Sequence, residues 1–213
     1  MAEIYHQGSL TEKEIEKIAA SLRDGAIAVL PTETVYGIFF RYDLSEAAER
    51  VYRIKQRPKE KVFTLTLDRA EAATDYFLLE DWQLDTLRQL LPGPVTFVLK
   101  PAVNLKSYLL SDEGKTGLRV PDQPLVQRII ERVGYPLAST SANLSGAPAP
   151  ADFKSIPGEI IEEVDLALDA GVCRLKVPST VYDLSFYPGK IIRAGAVEPE
   201  IIRKTAERFL KNA

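Results

Sequence analysis

Residues 26–37 read AIAVLPTETVYG. The first five are apolar without alternation, the pattern of a strand buried on both faces, and Pro31 ends it because proline cannot donate to a sheet ladder. Two threonine hydroxyls, a carboxylate and a phenol follow within residues 32–36, closed by Gly37. Ligands of open α/β sheets bind where strands end, so a strand that runs into a loop dense in hydrogen-bonding groups marks both the fold class and a candidate site.

Upstream, LTEKEIEKIAASLRDG sets Ile15, Ile18, Ala19 and Leu22 at helical spacing behind a Thr11/Glu14 capping box, with Gly25 as the stop. Downstream, LSEAAERVYRIKQRP repeats Ala48, Val51 and Tyr52 behind a Ser45 cap, and Pro58 ends that helix. The reading is strand, loop, helix. VFTLTL alternates as a further strand, with Asp68 capping a short helix toward Tyr76. DWQLDTLRQLLPGPVTFVLK reads as helix, turn and strand, TGLRVP as a strand, PLVQRIIERVG as a helix, and YPLASTSAN as a strand running into a loop. Residues 147–157 form a proline-marked surface connection; VDLALD, STVYDL and KIIRAG read as strands, and EPEIIRKTAERFL as a closing helix. Helices and strands alternate, with consecutive strands near the end, which predicts one α/β (α+β) domain over residues 1–213 with a sheet of mixed direction.

The chain has 213 residues, 46% hydrophobic and 27% charged, with a net charge of -3. That balance opposes indiscriminate coating of nucleic acid, so any basic surface must be local. No apolar run is long enough to span a bilayer and the N-terminus has no signal pattern, which predicts a cytoplasmic protein without a membrane partner. A single cysteine, Cys173, and a single histidine, His6, exclude an internal disulfide and make serine–histidine or histidine–metal chemistry a poor fit. The GKT at residues 114–116 is not the tail of a phosphate loop, because its first glycine would fall on Leu109 and a strand follows.

Two features carry chemistry. Arg50, Arg53, Lys55, Arg57, Lys59 and Lys61 face only Glu60 within twelve residues; such a run is either a solvated helix face or a set of fixed cations for phosphates. PTETVYG, STSANLSG and VPSTVYD each place small hydroxyl residues at a strand boundary. The bland reading is turn composition. Together with Arg119 and Arg193 on strands, they describe a cleft for an anionic, hydroxyl-rich ligand such as a nucleotide with a small amino acid.

Lys55-x-Arg57 followed by Ser141-x-Asn143, with PTETVYG, PGPVTFVLK, GLRVP, STSANLSG, PSTVYDL and IIRAGAVE in order between Pro31 and Glu198, resembles the YrdC-like family, the threonylcarbamoyl-adenylate synthases. The resemblance implies a twisted mixed sheet around a large concave, positively lined cavity, in the short form with a core of about 10–198 and a C-terminal helix over 198–211. It implies joining of L-threonine, bicarbonate and ATP, with Mg²⁺ carried by the ATP, into threonylcarbamoyl-AMP and pyrophosphate. That product would serve N6-threonylcarbamoyladenosine formation at position 37 of tRNA through a tRNA threonylcarbamoyl-transferase complex. Lys55 and Arg57 would hold the phosphates as the catalytic cations, with Lys61, Thr116, Ser139, Ser141, Asn143 and Arg193 also at the nucleotide. Thr32, Tyr36, Thr66, Arg119, Thr140 and Ser179 would recognise threonine, Arg119 taking its carboxylate. KEKVFTLTL departs from the Asn-Pro-Leu and following histidine of many members, Thr66 standing near the histidine's place, and resembles a divergent branch. The alternatives are therefore an RNA-binding member that takes tRNA or double-stranded RNA without synthesis, and a carbamoyl-adenylate enzyme with another acceptor, as in hydrogenase-maturation modules.

Overall fold

At the first helix, Thr11 Oγ1 accepts from Glu14 N while Thr11 N donates to the Glu14 carboxylate at 2.8 Å. This reciprocal cap satisfies two N–H groups that a helix start otherwise leaves orphaned. Gly25, at φ +104°, takes the left-handed turn that follows. The helix is α1 (Glu12–Arg23) in the computed structural model, which describes residues 2–210.

The other elements in chain order are β1 (Glu3–His6) before it, then β2 (Ala28–Leu30), β3 (Gly37–Arg41), α2 (Ser45–Ile54), β4 (Thr64–Thr66), α3 (Asp81–Leu90), β5 (Val95–Leu99) and β6 (Thr116–Arg119). They continue with α4 (Pro124–Val133), β7 (Leu137–Ser141), α5 (Gly158–Glu163), β8 (Leu166–Asp169), β9 (Thr180–Asp183), β10 (Lys190–Arg193) and α6 (Pro199–Leu210). The strands form one mixed sheet in the order β1-β8-β2-β3-β7-β4-β6-β5-β9-β10. Pairs β1–β8, β2–β8, β4–β6 and β5–β9 are parallel, and the rest are antiparallel. The expected end of the last helix at residue 211 lies outside the described residues.

Strand alternation divides the core between the two faces of the sheet. Ala28, Leu30, Phe39 and Leu137 face α1 and α4 and pack on Ile15, Ile18, Leu22, Val126 and Ile129. Val29, Ile38, Phe40, Leu65 and Leu118 face the opposite layer, where Val51 and Tyr52 of α2 and Ile160 of α5 cover them. A side chain as fully buried as Leu22 or Val51 contributes about 1.5–3 kcal/mol relative to exposure.

Several local expectations need correction. β3 pairs antiparallel with β2, so Pro31–Tyr36 connects two neighbouring strands instead of leading to a helix. Leu44 occupies the N-cap of α2 with no side-chain bond, and Ser45 is its first residue. Asp68 pairs with Arg69, and a 3-10 turn over Glu71–Asp75 stands where a capped helix was expected. β1 and α5 carry too weak a periodicity to be read from sequence; β1 exists because its backbone pairs with β8, Ile4 opposite Ala167.

Candidate functional site

The loop after β2 is fixed by its own hydroxyls. Thr32 Oγ1 donates to Val35 O at 2.7 Å and accepts from Thr34 N and Val35 N at 3.2 Å, so a side chain closes the turn that Pro31 opens. Gly37 then starts β3 in register with Ser141 of β7. A Cβ at Gly37 would lie 2.8 Å from the Phe39 ring and 3.2 Å from Thr140 O, so glycine allows the two loops to approach.

Between these loops and one face of β4, β5, β6 and β9 lies a cavity of about 320 Å³. Thr32, Tyr36, Arg57, Thr66, Arg119, Ser139, Thr140, Ser141, Ser179 and Arg193 line it. Residues drawn from six separate sequence stretches thus converge. Thr64, Thr96 and Gly117 also line the cavity and were not anticipated. Thr64 and Thr66 alternate in TLTL and so share a face, a signal the sequence did contain. A Cβ at Gly117 would sit 3.2 Å from Thr64 Oγ1 and 3.3 Å from Thr96 Cγ2, so glycine keeps the floor open. Hydroxyls pair across this floor: Thr66 with Ser139 at 2.7 Å, and Thr96 with Ser179 at 2.9 Å.

Lys55, Lys61, Thr116 and Asn143 stand outside the cavity wall. Lys55, 1% exposed at the C-cap of α2, donates its ammonium to Ser141 O and, at 2.6 Å, to Asn143 O. The backbone answers with Ser145 N donating to Lys55 O at 3.0 Å. Asn143 holds the same turn through Leu144 O at 2.7 Å and Ala147 O at 2.8 Å, and its Oδ1 accepts from Ser141 Oγ. The Lys-x-Arg and Ser-x-Asn segments are therefore one hydrogen-bonded unit, and Lys55 is first of all its brace. Burial, helped by Arg57 and Lys61, pulls the Lys55 ammonium down to about 7. Lys61 contributes its carbonyl, which accepts from Arg57 Nε at 3.0 Å, while its side chain is exposed. Thr116 is buried with an unpartnered hydroxyl.

Arg57 is aimed by backbone acceptors: Nη2 donates to Val62 O at 2.8 Å and the guanidinium stacks 5.5 Å over the Phe63 ring. Arg193 Nη2 donates to Ser179 O at 2.8 Å. Burial lowers both, and Arg119 adds to the effect on Arg193. Neither has an ion-pair partner among the described residues, whereas Arg119 meets Glu33 at 3.0 Å. The Tyr36 hydroxyl is committed elsewhere, donating to Gly171 O at 2.9 Å and accepting from Ala170 N at 3.0 Å, so its ring alone remains for a ligand. Burial pushes the neighbouring Cys173 thiol up to about 11, which rules out a ready thiolate.

The basic run carries less free charge than its composition promised. Arg50 pairs with Asp165 at 3.0 Å, Lys59 with Glu49 at 2.9 Å, and Lys55 and Arg57 turn inward. Such compensated faces hold phosphate backbones weakly.

Gly195 lets β10 leave past the cavity wall. An added Cβ would sit 2.4 Å from Pro178 O and from the Ser179 carbonyl carbon. Gly195→Ala should therefore displace Ser179 at a cost of about 1–3 kcal/mol. Thermal unfolding should fall by several degrees with ligand binding weakened as well, and an unchanged melting temperature would show that the wall yields freely.

No helix among the described residues is long and apolar enough to cross a membrane. The family model Sua5_yciO_yrdC, described as telomere recombination, matches residues 20–195. Bovine (Bos taurus) threonylcarbamoyl-AMP synthase is 35% identical over 199 residues, covering 89% of this chain and 70% of its own. The crystal structure of Pyrococcus abyssi Sua5 complexed with L-threonine superposes with a TM-score of 0.87 at 26% identity, over 96% of this chain but 60% of that longer one. Escherichia coli YciO, whose curated name calls it uncharacterized, superposes with a TM-score of 0.83 at 27% identity, over 93% of this chain and 98% of its own. A family match across most of the sequence, together with superposition on Sua5 and YciO over nearly the whole chain, settles the grouping: the chain belongs to the Sua5/YciO/YrdC family.

Proposed function

We propose that the chain is an L-threonylcarbamoyladenylate synthase. The observation that carries this reading is the cavity wall: three arginines and eight serine and threonine side chains, Thr32, Thr64, Thr66, Thr96, Ser139, Thr140, Ser141 and Ser179, with no carboxylate in the lining. In the reaction the threonine amine adds to bicarbonate, expelling water and giving a carbamate. A carbamate oxygen then attacks the α-phosphate of ATP, and pyrophosphate leaves. Two anions must meet, so fixed positive charge and hydrogen-bond donors do more for this transition state than a general base. Arg57 and Arg193 supply that charge to the phosphates, while Arg119 and the hydroxyls of Thr140 and Ser179 take the amino acid; the Thr32 hydroxyl, bonded to Val35 O and to Arg119, holds that end of the cavity in shape. With no carboxylate in the wall, Mg²⁺ enters held by the triphosphate and neutralises its charge. The similarity to bovine threonylcarbamoyl-AMP synthase and to the threonine-bound Sua5 supports the same substrates. The product would pass to a tRNA threonylcarbamoyl-transferase complex.

Pyrophosphate release should require ATP, L-threonine and bicarbonate together, and L-serine should support it at a rate lower by about tenfold, the value of one methyl contact. Release that ignores the amino acid would refute the reading and leave another acceptor or an RNA ligand in its place.

A further inference from the structure

The three cavity arginines are not electrostatically alike. Arg57 and Arg193 have no carboxylate partner among the described residues, while Arg119 is paired with Glu33, whose side chain is 1% exposed. The bridge is made through one atom pair, Arg119 Nη2 to Glu33 Oε1 at 3.0 Å. Glu33 Oε2 and Arg119 Nε are both buried without a partner. A bidentate bridge would satisfy both, so the half-made one leaves buried polar atoms unpaired at a cost to stability. Nη2 is also held by Thr32 Oγ1 at 3.3 Å and by Thr34 Oγ1, and Glu33 is fixed in turn by its carbonyl, which accepts from Leu175 N at 2.8 Å. Glu33 itself lies behind the wall; Arg119 is in it.

We propose that Glu33 is a positioning residue that sets the anion selectivity of one end of the cavity, making the Arg119 end a receptor for a singly charged carboxylate and refusing it to phosphate groups. Paired with Glu33, Arg119 presents directed N–H donors with little net charge. A monoanionic amino-acid carboxylate is bound there by hydrogen bonds from Arg119 and the adjoining hydroxyls. A pyrophosphate or triphosphate, more highly charged, is repelled by the buried Glu33 carboxylate and goes to the uncompensated Arg57 and Arg193. This partition rests on the synthase reading for the identity of the amino acid, though not for its effect on inorganic anions.

The test is calorimetric binding of L-threonine and of inorganic pyrophosphate to the full chain. In the wild type, saturating pyrophosphate should leave threonine affinity within about twofold, because the two occupy separate ends. In Glu33→Gln, pyrophosphate should bind about tenfold tighter and become competitive with threonine, whose own affinity measured without pyrophosphate should change far less. Glu33→Asp, which keeps the charge, should restore the preference for threonine. Competition in the wild type, an unchanged pyrophosphate affinity in Glu33→Gln, or Glu33→Asp behaving like Glu33→Gln would each overturn the proposal. If the wild type binds pyrophosphate but not threonine, the synthase reading fails on its own, and the pyrophosphate affinities of the variants still decide the role of Glu33.

Discussion

Arg57→Ala should reduce threonine-dependent pyrophosphate release by about 100- to 1000-fold, the usual loss when one preorganised electrostatic donor is removed from a transition state. The guanidinium is aimed before any substrate arrives, by Lys61 O at 3.0 Å, Val62 O at 2.8 Å and the Phe63 ring, and its remaining donors face a wall without carboxylates. Lysine is not an adequate substitute. A single ammonium cannot bond both carbonyls and also present a planar fork to a phosphate, so Arg57→Lys should recover only a small part of the loss. Steady-state release at saturating ATP separates this from a folding defect when circular dichroism of the variant is native. Wild-type turnover in Arg57→Ala would remove the residue from the phosphate site.

Lys55→Met should act on stability and on turnover together. The folded ammonium is held at about 7 against a free lysine value of 10.5, so between these values the unfolded chain binds the proton and the folded chain releases it. Stability therefore rises as pH climbs from 7 toward 10.5, by up to about 1.4 kcal/mol per pH unit from this group, and its penalty is fully present below pH 7. Methionine fills similar volume without the charge, so the difference between wild type and variant in urea midpoint should narrow or reverse as pH is lowered from 9 to 7. Turnover should fall by about 10- to 100-fold, because Ser141 O and Asn143 O lose their shared donor and the end of β7, which carries Ser141 into the cavity, is loosened. A pH dependence identical in the two proteins would contradict the burial of that charge.

Local signals made the helices legible. The Thr11–Glu14 cap, the Pro124 start of α4 and the left-handed Gly134 after it are written in adjacent residues. β1 and β3 are held by partners distant in the chain, Ile4 by Ala167 and Phe39 by Ser139, and such pairings leave little trace in either segment alone. Much of the candidate cavity was equally legible: the turn after β2, the end of β7 and the entry to β9 contribute to one wall, and ten of the expected residues line it. Charge was read less well. Counting cations in the run from Arg50 to Lys61 does not reveal that Asp165 and Glu49 neutralise two of them, or that Lys55 is spent on carbonyls. Glu33 lies in the loop after β2, yet its partner Arg119 is far along the chain, and only the folded contact brings the two together.

In the proposed reaction this cavity joins a carbamate to AMP. Incubation of the purified protein with ATP, Mg²⁺, L-threonine and carbon-13 bicarbonate, followed by mass spectrometry, should therefore yield threonylcarbamoyl-AMP carrying one heavy carbon, formed with threonine and absent without an amino acid. Binding of ATP with no labelled adduct under any condition would contradict it.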